Sequence, residues 1–314
     1  MLSLIVRRVA SLIPLLFIVS IVIWGLLLLI PGDPALSLVG ETATQEQIEA
    51  GRENLGLNDP ILVRYWRWVT GAVQGDLGTS LFSSYRVTDA VMDRLPVTLS
   101  LVGTAFLLST LIGIPAGIFA AMNRGRFVDR LLTIGTSVGI AVPNFWLGLV
   151  LVTFLGLRLE WFPSGGYVAL EESPGEWAHR LALPALTLAM AGAAELGRQM
   201  RAGMVDVLDR DFIRTHRAKG LPGRVIIGRH ALKSALIPVV TVAGSQIARL
   251  FGLSAIVEQI FNMQGVGQLA IEAVFRRDVP VIQGVVLMVT LVVVVANLIV
   301  DISYGYLNPK LRSQ

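Results

Sequence analysis

Charged and polar side chains inside long apolar runs are the first candidates for chemistry in this sequence. Glu195 and Arg198 interrupt one run, Arg249 lies in the middle of another, and Asn144 follows Pro143 in a third. An ionised group in hydrocarbon costs about 2.5–3.5 kcal/mol, so such residues are paired, solvated or functional. Glu195 and Arg198 are three apart and can pair on one helix face. Arg249 has no acid one turn away and is expected to face a cavity, another subunit or Glu195. We interpret Arg249, Glu195 and Asn144 as candidates for a translocation path.

Other sites that these residue types could build lack a partner. Gly135–Gly139 fits the G-x-S-x-G pattern of serine hydrolases, but a serine nucleophile needs a general base within reach. The histidines, His179, His216 and His230, lie in predicted loops or surface helices. The Lys-Ser pair at 233–234 follows leucine rather than glycine, so a phosphate-binding loop is not predicted. Without cysteine or a metal-ligand spacing, the sequence predicts no catalytic residue, cofactor site or metal site.

The composition indicates a membrane protein. Of 314 residues, 54% are hydrophobic and 15% are charged, and the mean hydropathy is +0.68. Soluble domains carry about 25% charged residues. So few charges cannot cover a water-exposed surface, which excludes a cytosolic enzyme. The net charge of +4 is interpreted through membrane topology rather than nucleic-acid binding, because Lys and Arg accumulate in cytoplasmic loops.

Apolar runs of sufficient length predict six membrane-spanning helices. A hydrocarbon core about 30 Å thick needs roughly 20 apolar residues at a rise of 1.5 Å each. Five runs qualify directly, and a less apolar one at 181–205 is added; the six are Val9–Ile30, Val97–Met122, Leu131–Leu157, Leu181–Val205, Ser234–Val257 and Val279–Val300. The first is interpreted as an uncleaved anchor, although Arg7 and Arg8 before it also fit a signal peptide.

The distribution of charge predicts the orientation. With six spans both termini lie on one side, and that side carries sixteen of the 26 Lys and Arg against nine on the other. Acidic residues show the opposite distribution, four against sixteen. Because Lys and Arg are retained in the cytoplasm, both termini are predicted to be cytoplasmic.

The external loop Pro31–Pro96 is patterned. Thr44 and Gln47 have the spacing of a capping box, and Gly56 can end the helix that follows. Beyond it stands a cluster of aromatic and basic residues, namely Arg64, Tyr65, Trp66, Arg67 and Trp68. This cluster is typical of an interfacial helix with rings at headgroup depth, and a ligand-stacking site is the alternative.

The cytoplasmic loop between the fourth and fifth spans is the most informative segment. Asp211–Lys219 has the pattern of a short, basic, amphipathic helix, and Gly220 with Pro222 is the expected stop. A second basic helix, Arg224–Ala235, is predicted to lead into the membrane at Pro238. The first helix could lie on anionic lipid or dock on a partner protein, since a basic amphipathic helix serves either role.

The segment Asp211–Leu221, followed by His230–Pro238, resembles the EAA loop of ABC importer permeases, and in particular the first permease subunit of dipeptide and oligopeptide importers. His216 stands where that loop usually has alanine, and Asp211 where it usually has glutamate. Further segments fit the same family in order: Pro31–Pro34, Leu55–Leu57, Gly75–Ser80, Arg94–Leu99, Pro143–Trp146, Leu183–Ala185, Val257–Phe261, Arg277–Pro280 and Asn297–Asp301.

The resemblance implies an all-α integral membrane protein of the type I importer architecture, with six spans and cytoplasmic termini. Its divisions would be an anchor and external loop at 1–96, a permease domain at 97–304 with a coupling loop at 205–235, and a tail at 305–314. The residues implied to couple to the ATPase are Asp211, Phe212, Arg214, Thr215, Arg217, Ala218, Lys219 and Gly220.

The same resemblance implies the assembly and the solute. This chain would form half of a peptide pathway in the bacterial cytoplasmic membrane, surrounded by lipid and without contact to nucleic acid. Its partners would be a second permease, two ATPase subunits or domains that bind ATP and Mg²⁺, and an extracytoplasmic binding protein. A self-contained secondary transporter, or a permease for nickel, glutathione or another small solute, is the alternative.

Overall fold

The computed structural model describes residues 14–25, 34–39, 43–54, 56–83 and 85–307, and these ranges are mostly helical. They contain no β-sheet, only an isolated bridge between Thr79 and Arg86. In chain order the helices are α1 Pro14–Gly25, α2 Pro34–Val39, α3 Gln45–Asn54, α4 Ile61–Val73, α5 Val87–Met122, α6 Phe127–Ala141, α7 Asn144–Leu151, α8 Pro174–Leu208, α9 Asp211–Ala218, α10 Gly223–Ile260, α11 Val266–Arg276 and α12 Val279–Leu307.

Long apolar helices coincide with several predicted spans. Within the described ranges, three helical segments have the length and hydropathy to cross a membrane, namely Val87–Met122, Gly223–Ile260 and Val279–Val300. Helix α8 covers the predicted span at 181–205 and has the length, but it is less apolar. The first predicted span, Val9–Ile30, lies partly outside the described residues, as does the end of the predicted tail at 305–314.

The predicted span Leu131–Leu157 is two helices rather than one. Helices α6 and α7 meet at 99°, and a π-helical turn, Val152–Arg158, continues α7. Pro143 causes the break, because proline lacks a backbone N–H and forces the residue before it out of helical geometry. Val142 accordingly has an extended backbone, with φ −77° and ψ 123°.

The chain divides into two compact units. Among the residues that the structure describes, one unit comprises those within 98–263 and 295–307, and the other comprises those within 14–97 and 264–294. The first unit has a core of buried apolar side chains from α8, α9 and α10, including Met200, Met204, Ile213, Ile226, Ala231 and Ala235. The second has its own core, including Leu77, Val87, Val91, Leu269 and Val285. The predicted division at 96 and 304 stays a prediction about sequence regions.

Small residues bring α5 and α8 into close contact within the first unit. A Cβ added at Gly113 would lie 2.5 Å from the carbonyl oxygen of Ala193, and one at Gly117 would lie 2.6 Å from Met200 Cβ. Such spacing of small residues lets helix backbones approach closely in a membrane. Of the G-x-S-x-G motif in α6, only Gly139 makes such an approach, with its Cβ position 3.1 Å from Ala194 Cβ.

The second unit confirms the caps predicted for the segment Pro31–Pro96. Thr44 N–H donates to Gln47 Oε1 at 2.9 Å, and Gln47 N–H donates back to Thr44 Oγ1 at 3.4 Å. At the other end of α3, Gly56 has φ +61° and Leu57 N–H donates to the carbonyl of Arg52. This pattern satisfies the last carbonyls of the helix, as expected where glycine takes the left-handed conformation.

The predicted second basic helix is present after α9 and continues into the apolar helix behind it. From Gly223 the chain is helical without interruption to Ile260, through a π-helical stretch at Ile226–Ala231 and past Pro238. The basic segment predicted at Arg224–Ala235 is therefore the first part of the long helix α10. The wider π turn keeps the backbone helical across this junction.

Candidate functional site

A cavity of about 240 Å³ in the first unit contains the three residues predicted for a translocation path. Asn144 lines it from the start of α7, Glu195 from α8 and Arg249 from α10. Its other lining residues are Ile140, Leu188, Ala191, Gly192, Arg198, Gln246, Leu250 and Leu253. The bend between α6 and α7 places Asn144 at this site, because the second half of the broken helix begins there.

Arg249 and Glu195 form an ion pair across this cavity. Arg249 Nη2 donates to Glu195 Oε2 at 2.6 Å, and Nη1 donates to Oε1 at 3.4 Å. Two parallel charge-assisted contacts of this kind are stronger than a neutral hydrogen bond and fix the orientation of both groups. The pair ties α8 to α10, and the side chains remain 29% exposed at Glu195 and 51% at Arg249.

Of the two alternatives for Glu195, the pairing with Arg198 is not formed, and the pairing expected for Arg249 is confirmed. Glu195 turns toward Arg249, while Arg198 is exposed and lines the same cavity. A pair three residues apart on one helix contributes only about 0.2–0.5 kcal/mol. By pairing with Arg249, Glu195 instead gives a partner to an arginine that has no acidic residue one turn away on its own helix. This pairing therefore removes a larger free-energy penalty, namely that of an unpaired charge among apolar helices.

Gln246 is a cavity residue that the sequence analysis missed. It is 2% exposed, its Nε2 donates to Ser109 Oγ at 2.8 Å, and its Oε1 has no hydrogen-bond partner in the described ranges. Gly192 makes room for it, since a Cβ there would overlap Gln246 Nε2. The sequence could have indicated Gln246 as a residue of this site, because it lies three residues before Arg249 and so on the same helix face.

The predicted loop helix is confirmed as α9, and a buried isoleucine anchors it. Ile213 is fully buried in the core of the first unit. The helix ends with Gly220 at φ +75°. Gly220 N–H donates to the carbonyl of Arg217 at 3.0 Å, and Leu221 N–H donates to that of His216 at 3.2 Å. These two bonds form the Schellman end that glycine favours.

All eight residues predicted for ATPase coupling lie at the surface. Asp211, Phe212, Arg214, Thr215, Arg217, Ala218, Lys219 and Gly220 are each exposed. Within this set, Arg214 Nη1 lies 3.5 Å from Asp211 Oδ1, and both side chains are at least three-quarters exposed. Such an exposed pair is weak, so these charges remain accessible to a partner.

His216, the departure from the usual loop pattern, lies on the inner side of α9. Its ring stacks on that of His230 in α10, with centroids 4.1 Å apart and planes inclined by 28°. Phe212 meets His216 edge to face at 6.2 Å. The histidine thus adds a second contact between α9 and α10 beside the buried Ile213.

The aromatic cluster of the external loop packs against α1 in the second unit. Tyr65 is buried, with its ring 5.9 Å from Trp24, and its hydroxyl lies 2.8 Å from Ser20 Oγ. Arg64 lies over the Trp24 ring at 5.7 Å, and burial lowers the pKa of its guanidinium. Trp66 stays 54% exposed. Both predicted roles of this cluster, at the membrane interface or with a ligand, stay predictions.

Long apolar helices, an ion-paired cavity on three predicted spans and an exposed loop helix together define a transmembrane transport subunit. Its fold is similar to that of a methionine ABC transporter solved in inward-facing conformations, MetNI, with a TM-score of 0.58 over 69% of this chain and 96% of that chain, at 17% identity.

The chain belongs to the family of binding-protein-dependent transport system inner membrane components, whose pattern matches residues 113–313. The pattern of the N-terminal region of such membrane components matches residues 1–102. The predicted ABC importer permease subunit is therefore confirmed. The family works with ATPase and substrate-binding components, and the chain is a multi-pass membrane protein.

Two curated relatives match over almost the whole chain. A protein named as a peptide transport system permease from Brucella abortus (strain 2308) is 39% identical over 312 residues, which is 99% of both chains. The glutathione transport system permease protein GsiC from Escherichia coli (strain K12) is 41% identical over 313 residues, again 99% of both.

Proposed function

We propose that this chain forms half of the path by which peptides, or a peptide-like solute such as glutathione, cross the bacterial cytoplasmic membrane. The names of the two relatives support this class of solute. The asymmetry of basic and acidic residues supports six spans with both termini in the cytoplasm. A second permease would complete the path, and an extracytoplasmic binding protein would deliver the solute.

The energy comes from two ATPase subunits or domains, which bind ATP and Mg²⁺ and dock on α9. One observation carries this assignment: the eight predicted coupling residues, six on α9 and two directly after it, are exposed while Ile213 anchors the helix in the core. In that core Ile213 packs with Met200 of α8 and Ala235 of α10. Force applied to α9 therefore reaches the two helices that carry Glu195 and Arg249.

Replacement of Gly220 tests this coupling. A Cβ at Gly220 would have nothing within 4 Å, so Gly220→Val changes neither contacts nor charge, but φ +75° strains any branched residue. We expect Gly220→Val to abolish substrate-stimulated ATP hydrolysis in the assembled complex at normal membrane insertion. Gly220→Asn should retain most of it, since asparagine tolerates this conformation. Gly175→Val, also without contact within 4 Å and without a positive φ but outside the coupling loop, is the matched control.

A crosslink tests the partner directly. The chain has no cysteine, so Thr215→Cys introduces a single thiol on the exposed face of α9, and we expect it to crosslink to a cysteine in the ATPase surface. Leu170→Cys, also exposed but on the predicted outer side, should not. Normal coupled hydrolysis by Gly220→Val, with Thr215→Cys reaching only lipid, would show that α9 is a lipid-surface helix.

A further inference from the structure

The charged groups of the cavity on α7, α8 and α10 do not balance. Two guanidinium groups, Arg198 and Arg249, line it with one carboxylate, Glu195. Glu195 is engaged by Arg249, and Arg198 forms no ion pair with any residue in the described ranges. The cavity therefore carries one formal positive charge in excess.

The start of α7 adds to this charge. Asn144 is the first residue of α7 and lines the cavity, and no side chain caps the N-terminus of that helix. Free N–H groups at a helix N-terminus carry partial positive charge. The apolar remainder of the lining, including Leu188, Leu250 and Leu253, weakens the screening of these charges compared with open water.

We propose that this excess positive charge, with Arg198 as its unpaired member, makes the cavity a selectivity site for solutes that carry a surplus of carboxylate. Anionic peptides pass readily, zwitterionic ones less so, and cationic solutes, divalent metal ions among them, are disfavoured. A substrate carboxylate binds Arg198 while the pair between Glu195 and Arg249 holds the cavity open between α8 and α10. The inference rests on the proposed function and specifies the charge of its substrate.

The test uses the complete complex in proteoliposomes, with its second permease, ATPase and binding protein. Uptake of the tripeptides Ala-Glu-Ala and Ala-Lys-Ala is measured with each peptide saturating the binding protein, whose affinity for each is determined separately. The ratio of the two uptake rates then reports passage through the permease rather than delivery. We expect the unaltered complex to favour Ala-Glu-Ala.

Two substitutions should move this ratio in opposite directions. Arg198→Gln removes the excess charge and should lower the ratio of Ala-Glu-Ala uptake to Ala-Lys-Ala uptake about fivefold. The change is smaller than in a fully buried site, because water screens the charge of an exposed residue. Glu195→Gln adds to the excess and should raise the preference. Arg198→Lys keeps the charge and should keep the ratio. Arg130→Gln, which removes an exposed positive charge of α6 outside the cavity lining, should also leave the ratio unchanged.

The outcomes separate the two proposals. An unchanged ratio in both Arg198→Gln and Glu195→Gln, with ATP-dependent uptake intact, overturns the selectivity site and leaves the proposed function standing. An equal change in Arg130→Gln also overturns it, because the effect would then reflect overall charge. If the unaltered complex shows no ATP-dependent uptake of either peptide or of glutathione, the proposed function is wrong, and the selectivity site with it.

Discussion

Arg249 illustrates, at the scale of single residues, how a charge is accommodated among apolar helices. Its guanidinium is held by Glu195 from a neighbouring helix and faces a cavity instead of hydrocarbon. Without Glu195, Arg249 would have no carboxylate in the cavity, and without Arg249, Glu195 would have only the exposed Arg198 nearby. An unpaired charge is more costly there than an apolar replacement of both members of the pair. The pair therefore behaves as one unit under mutation.

We expect Arg249→Leu to insert normally and to lower ATP-dependent uptake about tenfold or more, because it leaves Glu195 unpaired in the proposed path. Its stability cost should be below the roughly 3–5 kcal/mol of a fully buried pair, because half of the Arg249 side chain is exposed. The double variant Arg249→Leu with Glu195→Leu should recover thermal stability in detergent but not uptake. Unchanged uptake by a well-expressed Arg249→Leu complex would refute the role in the path.

The sequence could predict the candidates at this site and gave Glu195 as one of three alternatives for Arg249, but it could not choose among them. Hydrophobicity identifies Arg249 and Glu195 as charges in apolar runs, and helix periodicity relates residues three or four apart. Helix periodicity cannot relate Glu195 and Arg249, which are 54 residues apart on different helices. The space that Gly192 leaves for Gln246 is likewise a property of two packed helices, so the amide was missed.

At the scale of elements, the contact between α5 and α8 depends on glycine. Gly117→Leu would place side-chain atoms against Met200 and the carbonyl of Gly197, and overpacking of this kind costs about 1–3 kcal/mol. We therefore expect Gly117→Leu to lower the thermal midpoint of the purified complex by several degrees.

Helix α5 supplies its own control for this prediction. Gly103→Leu makes the same change on the same helix, where a Cβ has nothing within 4 Å. We expect its thermal midpoint to match that of the unaltered complex. Equal midpoints for Gly103→Leu and Gly117→Leu would mean that the close approach of α5 and α8 contributes no stability.

The break between α6 and α7 separates what the sequence predicts from what it does not. Pro143 shows in the sequence that a helix is interrupted, yet the angle of 99° depends on what each half packs against. The end of α9 is the opposite case. Gly220 and Pro222 act locally, and the predicted stop is present with the expected backbone geometry.

At the scale of the whole molecule, family and fold class followed from the order of many short motifs. The predicted second basic helix is present as the first part of α10. Arg224–Ala235 has the composition of a surface helix, but the π turn at Ile226–Ala231 joins it to the apolar helix behind it. Composition registers a change of environment along a chain, and it does not register whether the backbone is interrupted there.

Topology can be measured with reporter fusions. Fusions after Gly56 and after Gln314 should report an external and a cytoplasmic location, because basic residues concentrate on the terminal side. A third fusion after Gly220 should be cytoplasmic and serves as the internal reference. An external signal at Gln314 would contradict the six-span arrangement.

The pair between Glu195 and Arg249 also has a consequence for biogenesis. Its acidic member is synthesised 54 residues before its basic member, a delay of roughly 3–10 s at 5–20 residues per second. During that interval α8 presents an unmatched carboxylate to the insertion machinery, and helices associate in the bilayer only after they have entered it. Helix α8 therefore enters the bilayer before Arg249 exists, and its integration becomes fully stable only when α10 follows and the pair forms.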